Sequence, residues 1–362
     1  MIYLQSLRLK SFRNFGAEVI TFADGANTFI GQNGQGKSNL LEAIYLICTG
    51  RSFRTSHLKE LIQFDSLEFQ LEATFLRRGI AQKIHLTQGL HKKKLWINQT
   101  SYPHFHPLMG FIPVVIMTPE MKKIIDGGPE ERRKFLNFLG SQLSRGYFES
   151  ITRYHKAMKQ RNAALKKKES SGIWEQLMSE EWLFIHAFRT RLIDKLHDKA
   201  AKYLSKYPEL CAYLELRLKT ETPSELTKES LMALYKQEKK LAEHLGFTLH
   251  GPHRDDLEIY LNHKPAHNTA SEGQKKMLVT ALCFASFEIL KEELEIKPLV
   301  LIDDYDAHFD GIRKNWIQES LQDLSQSFLT SPLDELSEGK NTFVIHQGTL
   351  MPSPSLALRP SH

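Results

Sequence analysis

The sequence has few cysteines and no long apolar run. Its 362 residues include only three cysteines, Cys48, Cys211 and Cys283, which lie far apart within helical patterns. Isolated cysteines of this kind indicate reduced core thiols rather than disulfides or a metal site. No apolar stretch approaches the roughly 20 residues that a membrane-spanning helix needs, and the first residues lack the features of a signal peptide. We therefore expect a cytoplasmic protein without a membrane partner.

The overall composition is that of a folded protein with a basic bias. Hydrophobic residues make up 41% of the chain, and the formal net charge is +6. The length allows one large or two ordinary domains with ample core. The positive charge favours an anionic partner only weakly, because many basic proteins bind nothing acidic.

One glycine-rich stretch matches the phosphate-binding pattern G-x-x-x-x-G-K-[ST] at every fixed position. The apolar run Thr28–Ile30 precedes it and a helical apolar pattern follows, so strand, loop and helix stand in the order that a phosphate cradle needs. Lysine in this pattern reaches the β- and γ-phosphates, and the serine hydroxyl ligates Mg²⁺. The sequence therefore predicts ATP and Mg²⁺ binding by Gly31, Gln32, Asn33, Gly34, Gln35, Gly36, Lys37, Ser38 and Asn39.

A second carboxylate motif lies far along the chain. Asp303 and Asp304 end the apolar run Leu299–Ile302, as a Walker B aspartate does beside Mg²⁺. Asp303 follows Lys37 by 266 residues (303 − 37), much further than in a compact P-loop domain. We therefore predict an α/β P-loop ATPase head assembled from both chain ends around an inserted helical lobe.

The segment from Thr269 to Lys276 resembles the signature of ABC-type ATPases. Ser271 is a good helix N-cap, and Ser271-Glu272-Gly273-Gln274 opens an amphipathic helix about 30 residues before the Walker B strand. A capped helix alone would explain the pattern. In combination with both Walker motifs it favours an ABC-type site, in which Ser271 and Gly273 meet the γ-phosphate held by a second copy.

The secondary-structure pattern divides the chain into three segments. Residues 1–118 are mostly strands, residues 119–245 carry three to five helices with a helix start at Pro129, and residues 246–362 return to strands and a long helix. We predict strands at Phe247–His250, Leu257–Leu261 and Thr342–Ile345. We predict a loop at Ser325–Gly339 and an unpacked tail from Met351.

Several stretches together resemble a known family. Gly31–Ser38 with its continuation to Ile44 resembles the SMC-type ABC ATPases of chromosome maintenance and DNA repair. Three further stretches resemble the RecF family of bacterial recombination and repair proteins: Arg51–Thr55, Pro129–Leu136 and Gly251–Asp256. The resemblance runs from the first strand to about Asp310.

That resemblance implies more than composition shows. RecF-type proteins join an ABC head to a helical lobe, form a homodimer on ATP, bind single- and double-stranded DNA near gaps and junctions, and hydrolyse ATP slowly as a DNA-stimulated switch. With RecO and RecR they help load RecA in DNA replication, recombination, repair and the SOS response. By this resemblance Asp304 positions the attacking water and Ser271 reads the partner's γ-phosphate.

The sequence departs from the usual ABC pattern at several positions. Asp304 stands where a longer Glu is usual, and Glu272 places an acid where many relatives carry Gly. Asp306–Asp310, which includes His308 and Phe309, lacks the usual Ser-x-Leu-Asp. We find no clear Q-loop glutamine, which Pro119-Glu120 would replace. His346 either senses the γ-phosphate or is simply a polar strand end.

One helical segment is a candidate for DNA contact. Thr152–Lys168 contains seven cations and no acid. A solvated helix face explains many such runs, whereas a phosphate-binding stripe through Arg153, Lys156 and Lys159 would bind DNA without sequence preference. Arg132–Lys134 is a second basic candidate. Gly251–Asp256 is either a plain turn or lies near the nucleotide or dimer contact.

Two other ATPase classes remain as alternatives. The motifs permit the ATPase subunit of an ABC transporter, although the helical insert, the missing Q-loop and the basic bias disfavour it. A P-loop kinase or GTPase is disfavoured because the Walker B spacing is wrong and no Asn-Lys-x-Asp motif is present.

Overall fold

The computed structural model describes residues 2–205, 213–223, 225–304, 326–332 and 341–352. Its internal contacts divide the chain into two units. Unit 1 combines Met1–Glu120 with Leu290–His362, and unit 2 is Met121–Ile289. Cys211, the segment Asp306–Asp310 that lacks the usual Ser-x-Leu-Asp, and the tail after Pro352 lie outside the described residues.

The described residues form fifteen strands and eight α-helices. The strands are β1 (Ile2–Phe12), β2 (Phe15–Thr21), β3 (Ala26–Ile30), β4 (Glu68–Arg77), β5 (Ile80–Gly89), β6 (Lys93–Ile97), β7 (Thr100–Tyr102), β8 (Val114–Met117), β9 (Leu214–Lys219), β10 (Asp256–Leu261), β11 (Lys264–Pro265), β12 (Leu299–Ile302), β13 (Ser327–Ser331), β14 (Thr342–His346) and β15 (Thr349–Pro352). The helices are α1 (Lys37–Thr49), α2 (Lys123–Asp126), α3 (Pro129–Leu143), α4 (Arg145–Lys167), α5 (Gly172–Leu204), α6 (Lys228–Leu245), α7 (Ala266–Thr269) and α8 (Glu272–Leu294).

Unit 1 contains two six-stranded sheets. The first is antiparallel in the order β2-β1-β4-β5-β6-β7. Its strands alternate between the core and the outer face, as in β4, where Phe69, Leu71, Ala73 and Phe75 are buried. This period of two confirms the strand pattern predicted for the N-terminal segment.

The second sheet joins the two ends of the chain. Its order is β15-β14-β3-β13-β12-β8, with every pair parallel except β14–β15. β3 from the N-terminal segment lies between β13 and β14, and β12 pairs with β8. This topology confirms the α/β head built from both chain ends, because neither segment alone supplies the sheet.

Three local predictions were wrong. The predicted loop Ser325–Gly339 contains β13, whose five residues are all buried between β3 and β12. The predicted strand Phe247–His250 is irregular, because Thr248 bonds the Asn162 side chain instead of a neighbouring strand. The tail predicted to be unpacked begins within β15, which pairs with β14.

Unit 2 is largely helical. Pro129 begins α3 as predicted, in the first turn, where its missing N–H costs nothing. α4, α5 and α6 pack around a shared core that includes Tyr147, Tyr154, Trp182 and Tyr235. A three-stranded antiparallel sheet, β11-β10-β9, completes the unit. Among the described residues, no helix is both long enough and apolar enough to cross a membrane.

Candidate nucleotide site

The carboxyl ends of the parallel strands in unit 1 carry the predicted site residues. β3 ends at Ile30, directly before the glycine loop, and β12 ends at Ile302, directly before Asp303. β13, which separates them, places Thr330 at the same edge. Ligands of open α/β sheets bind outside this edge because the connecting loops converge there.

The glycine loop has a backbone that other residues would not adopt. Gly31, Gly34 and Gly36 have φ values of 152°, 83° and 118°. A Cβ on Gly31 would lie 2.5 Å from the carbonyl oxygen of Ile345. Within the described chain, no backbone carbonyl accepts from the N–H groups of Gly34, Gly36 or Lys37. These N–H groups are available to phosphate oxygens at the start of α1.

Lys37 is bound to the loop itself. Its Nζ donates to the carbonyl oxygens of Gly31, at 2.6 Å, and Gln32, at 3.1 Å. Burial lowers the pKa of Lys37, while Asp304 and Asp303 act in the opposite direction. A buried cation held by two neutral carbonyls favours an anion that brings formal negative charge.

Ser38, Asp303 and Thr330 form a hydrogen-bonded cluster. The Ser38 hydroxyl donates to Oδ1 of Asp303 at 2.9 Å, and the Thr330 hydroxyl donates to the same oxygen at 2.7 Å. Thr330 also accepts from the N–H of Asp304 at 2.8 Å. Burial raises the pKa of Asp303, and the bonds from Thr330 and Ser38 partly offset this rise. A buried carboxylate beside a hydroxyl fits Mg²⁺, which prefers such oxygen ligands.

The loop is supported by a second group of polar residues. Asn14 donates to the carbonyl of Gln35 at 2.9 Å and accepts from Asn39 at 2.8 Å. The fully buried Glu42 of α1 accepts from Arg13 at 3.0 Å and 3.1 Å. Arg54, from the stretch Arg51–Thr55, lies 3.7 Å from Glu42.

Two further predicted positions lie at the same sheet edge. The residue after β8, Thr118, is followed by Pro119 and Glu120. The charge of Glu120 contributes to the raised pKa of Asp303. His346 ends β14 and is exposed. Both positions therefore lie at the sheet edge that carries Asp303 and the glycine loop.

The signature residues belong to unit 2. Ser271 caps α8: its hydroxyl accepts from the N–H of Gln274 at 3.2 Å, and the Gln274 side chain accepts from the N–H of Ser271 at 2.8 Å. Gly273 lies in the first turn of α8. Glu272 is ion-paired with Lys122 and lies 3.6 Å from Lys275.

The basic residues of α4 predicted to bind DNA differ in whether an acid compensates them. Arg153 forms an ion pair with Glu181 of α5, so its charge is compensated by an acid outside the run. Arg161 of the same run is buried and bonds Glu175 and Thr248. Lys156 and Lys159 are exposed, and no carboxylate of the described residues lies within ion-pair distance of either.

Gly251–Asp256 is a turn anchored by buried charge. Arg189, fully buried in α5, donates to Asp255 at 2.6 Å and to the carbonyl of Pro252 at 2.7 Å. Arg132 of α3 pairs with Asp256 at 2.7 Å. Both acids of this motif are therefore occupied within unit 2.

Sequence reasoning missed Thr330, Asn14 and Glu42. Thr330 lies in the stretch Gln326–Ser331, whose serine and threonine content is typical of a loop. The only available signal was its position shortly before the last predicted strand. Glu42 lies within the recognised stretch that continues to Ile44, and Asn14 lies between the first two strands, but nothing in their spacing indicates a bond to the glycine loop or a buried ion pair.

Comparison with known proteins identifies the family. Residues 3–344 match the RecF/RecN/SMC N terminal domain family. The DNA replication and repair protein RecF of Protochlamydia amoebophila is 34% identical over 353 residues, covering 94% of this chain and 98% of that relative. RecF of Chlamydia abortus is 33% identical, covering 95% and 96%.

Solved structures agree with the sequence matches. A structure described as the recombination mediator protein RecF with ATP in the RecFOR pathway has a TM-score of 0.91 and 30% identity, covering 97% of each chain. The Smc head domain of Pyrococcus furiosus has a TM-score of 0.55 at 18% identity and therefore supports the fold alone. The chain belongs to the RecF family, with the α/β head fold that this family shares with SMC proteins.

Proposed function

We propose that this protein is an ATP-dependent, DNA-binding recombination and repair factor of the RecF type. The observation that carries the proposal is the hydrogen-bonded cluster of Ser38, Asp303 and Thr330 beside a glycine loop with available N–H groups. The similarity to the structure of RecF with ATP, at a TM-score of 0.91, supports the same assignment. ATP and Mg²⁺ are the proposed ligands.

Each residue of the site has a distinct proposed role. The loop from Gly31 to Gly36 presents N–H groups to phosphate oxygens, and Lys37 leaves its carbonyl partners to contact the outer phosphates. Ser38 and Asp303 hold Mg²⁺, which neutralises phosphate charge when bound. Asp304 orients a water molecule, and its shorter side chain relative to Glu suits slow turnover.

The proposed site is completed by a second copy of the chain. Ser271 and Gly273 open α8 with an N-terminal turn that attracts anions. Because they belong to unit 2 of each copy, we propose that they contact the triphosphate bound by the partner's unit 1. ATP then holds the homodimer together, and its slow hydrolysis releases it.

The remaining functional proposals follow from the family. We propose binding of single- and double-stranded DNA at gaps and junctions, cooperation with RecO and RecR in loading RecA, and a cytoplasmic location. The division into a head (1–118 and 246–362) and a helical lobe (119–245) stays a proposal. Arg153, Lys156 and Lys159 remain the DNA contacts predicted from sequence, with Arg153 the weakest because Glu181 compensates it.

The test is the oligomeric mass with and without ATP and Mg²⁺, on a gapped DNA duplex. The wild-type protein should change from monomer to dimer with ATP. Lys37→Ala should lose both ATP binding and dimerisation, because the buried cation contacts the phosphates.

Ser271→Ala should bind ATP but remain monomeric. Ser144→Ala is the matched control, since Ser144 caps α4 in the same unit through a bond of the same 3.2 Å length. It should dimerise normally. If Ser271→Ala dimerises like the wild type, the shared-site mechanism is wrong.

A further inference from the structure

Three separate segments of unit 2 meet around Tyr154. Its hydroxyl is 2.8 Å from Nδ1 of His253 in the turn Gly251–Asp256, and its ring is 6.0 Å from that of the adjacent His155. Arg133 of α3 donates to the carbonyl of Asp255 at 2.8 Å. These contacts bring the first turns of α3, the middle of α4 and the turn after α6 into one neighbourhood.

The acids of this neighbourhood are already paired. Asp255 is bound by Arg189, and Asp256 is bound by Arg132 through two bonds of 2.7 Å and 2.9 Å. Each pair is electrically neutral and faces the interior, because Arg189 is fully buried and both carboxylates of the pairs are largely covered. The acids of the turn are therefore not available to the other cations nearby.

Three cations of this neighbourhood have no ion-pair partner among the described residues. Arg133, Lys159 and Arg254 have no carboxylate within ion-pair distance there. Lys159 and Arg254 are exposed, Arg133 is half-buried, and the Arg254 guanidinium lies over the ring of Phe247 at 5.6 Å. Arg133 and Lys159 both lower the pKa of His155, and Arg133 and Arg254 both lower that of His253, while nearby acids offset only part of the charge at Arg133.

The histidines report the same positive environment. The pKa of His155 is lowered by burial and then by Arg189, Lys159 and Arg133. The pKa of His253 is lowered to about 4 by burial first, with Arg254, His155 and Arg133 contributing. Cations that repel the protonated form of a histidine attract an anion by the same field.

We propose that Arg133, His155, Lys159 and Arg254 form a phosphate-binding cluster that holds the DNA backbone. The proposal rests on the proposed DNA-binding function and assigns its contact surface. It unites two sequence motifs, Arg132–Lys134 and Gly251–Asp256, with only part of the basic run on α4. Arg153 is outside the cluster because its partner is Glu181.

Backbone phosphate suits this cluster better than the two roles considered for Gly251–Asp256 from sequence. A contact with ATP through this turn would use its carboxylates for a metal, and each already pairs with an arginine, Asp255 through Oδ2 and Asp256 through both oxygens. The cluster offers two guanidinium groups and an ammonium group from separate segments, and Arg binds phosphate through paired N–H donors. Such contacts carry no sequence preference.

The test compares a double variant with a matched double control. Arg254→Gln with Lys159→Ala removes two exposed cations of the cluster. Arg217→Gln with Lys228→Ala also removes an exposed arginine over an aromatic ring and a partly exposed lysine, but both are paired with carboxylates, Glu215 and Glu180. Binding of a fluorescent gapped duplex is measured by anisotropy with ATP and Mg²⁺ over about 50–200 mM salt.

The cluster variant should bind DNA more weakly and with a shallower salt dependence. Each duplex phosphate contact contributes about 0.9 to the slope of log K against log salt, so the slope should fall by about 1.8. At about 0.1 M salt the same relation gives about an eightfold loss of affinity per contact. The control variant should keep the wild-type slope.

Every outcome decides between the alternatives. An unchanged slope in the cluster variant, or an equal loss in the control, would overturn the cluster. Loss of ATP-driven dimerisation in the cluster variant would show that the turn serves the dimer contact and would also overturn it. If the wild-type protein does not bind DNA at all, the proposed function itself fails, independently of the cluster.

Discussion

Replacing Thr330 by valine is a direct test of the polar cluster at the nucleotide site. Thr330 is fully buried in β13, donates to Asp303 and accepts from the N–H of Asp304. Valine keeps the shape and the β-branch but removes the hydroxyl. The change therefore leaves a buried carboxylate with one donor fewer and a backbone N–H without its acceptor.

The magnitude follows from these two losses. A hydrogen bond to a charged group contributes about 1.5–3 kcal/mol, and an unsatisfied buried donor costs about 1–3 kcal/mol. Because the contributions overlap, we expect about 3 kcal/mol of lost stability. For a folding unit of this size, that corresponds to a fall in Tm of about 6–12 °C.

The loss should also depend on pH. Burial raises the pKa of Asp303 above its model-peptide value of 3.8, and the Thr330 bond opposes the rise. A raised folded-state pKa gives stability that is present below the unfolded value and is lost as pH rises through the folded one. Without the hydroxyl the pKa of Asp303 rises further, so the deficit of Thr330→Val should be smaller at acidic pH, where the unpaired N–H of Asp304 remains its main cause, and larger at neutral pH.

The assay is thermal unfolding of the metal-free protein between acidic and neutral pH, with ATP affinity measured in Mg²⁺. Thr330→Ser is the control, because it keeps the hydroxyl and loses only a methyl group. It should retain most of the ATP affinity. If Thr330→Val melts like the wild type at every pH and binds Mg²⁺·ATP equally well, the hydroxyl does not support the site.

Three further variants test other contacts. Asp303→Asn keeps an accepting oxygen but removes the buried charge, so the metal-free protein should have a higher Tm at pH 7 in calorimetry. Mg²⁺·ATP should no longer raise the Tm of this variant. Gly31→Ala forces a Cβ against a carbonyl of β14 and should cost about 1–3 kcal/mol in urea unfolding; Gly16→Ala, where nothing lies within 4 Å, should cost much less. Arg189→Met leaves Asp255 buried and unpaired and should cost about 3–5 kcal/mol in the same measurement.

The parts of the site that were predictable from sequence are those defined by local pattern. A glycine loop needs residues that adopt positive φ, and Gly31, Gly34 and Gly36 meet that need within six positions. Asp303 was recognisable because it follows four apolar residues of a buried strand. The long spacing between these motifs also predicted correctly that β3 and β12 share a sheet.

β13 could not be predicted because its burial depends on its neighbours. Three of its five residues are serine or threonine, a composition that favours loops. In the folded sheet these hydroxyl groups are covered by β3 and β12, and Thr330 finds its partners at the sheet edge. A strand whose burial depends on long-range contacts gives no local signal.

Charge on α4 shows the same limit. The run Thr152–Lys168 has no acid of its own, but Glu181 and Glu175 of α5 compensate Arg153 and Arg161. Counting charges along one helix therefore overstated the basic surface. Only the packing of neighbouring helices distinguishes a cation that stabilises the fold from one that is available to DNA.

The acid at the signature turn is tolerated because unit 2 balances it locally. Glu272 is bound by Lys122 and approached by Lys275, and both lysines also contact Asp126, at 3.2 Å and 2.7 Å. Two lysines and two acids sum to no net charge. Exposed ion pairs contribute little stability. The effect of these four charged groups is instead to hold the carboxylate of Glu272 in place and to neutralise the negative charge that would otherwise repel a phosphate at Ser271. An acid at this position is therefore compatible with the proposed contact between the N-terminus of α8 and a phosphate.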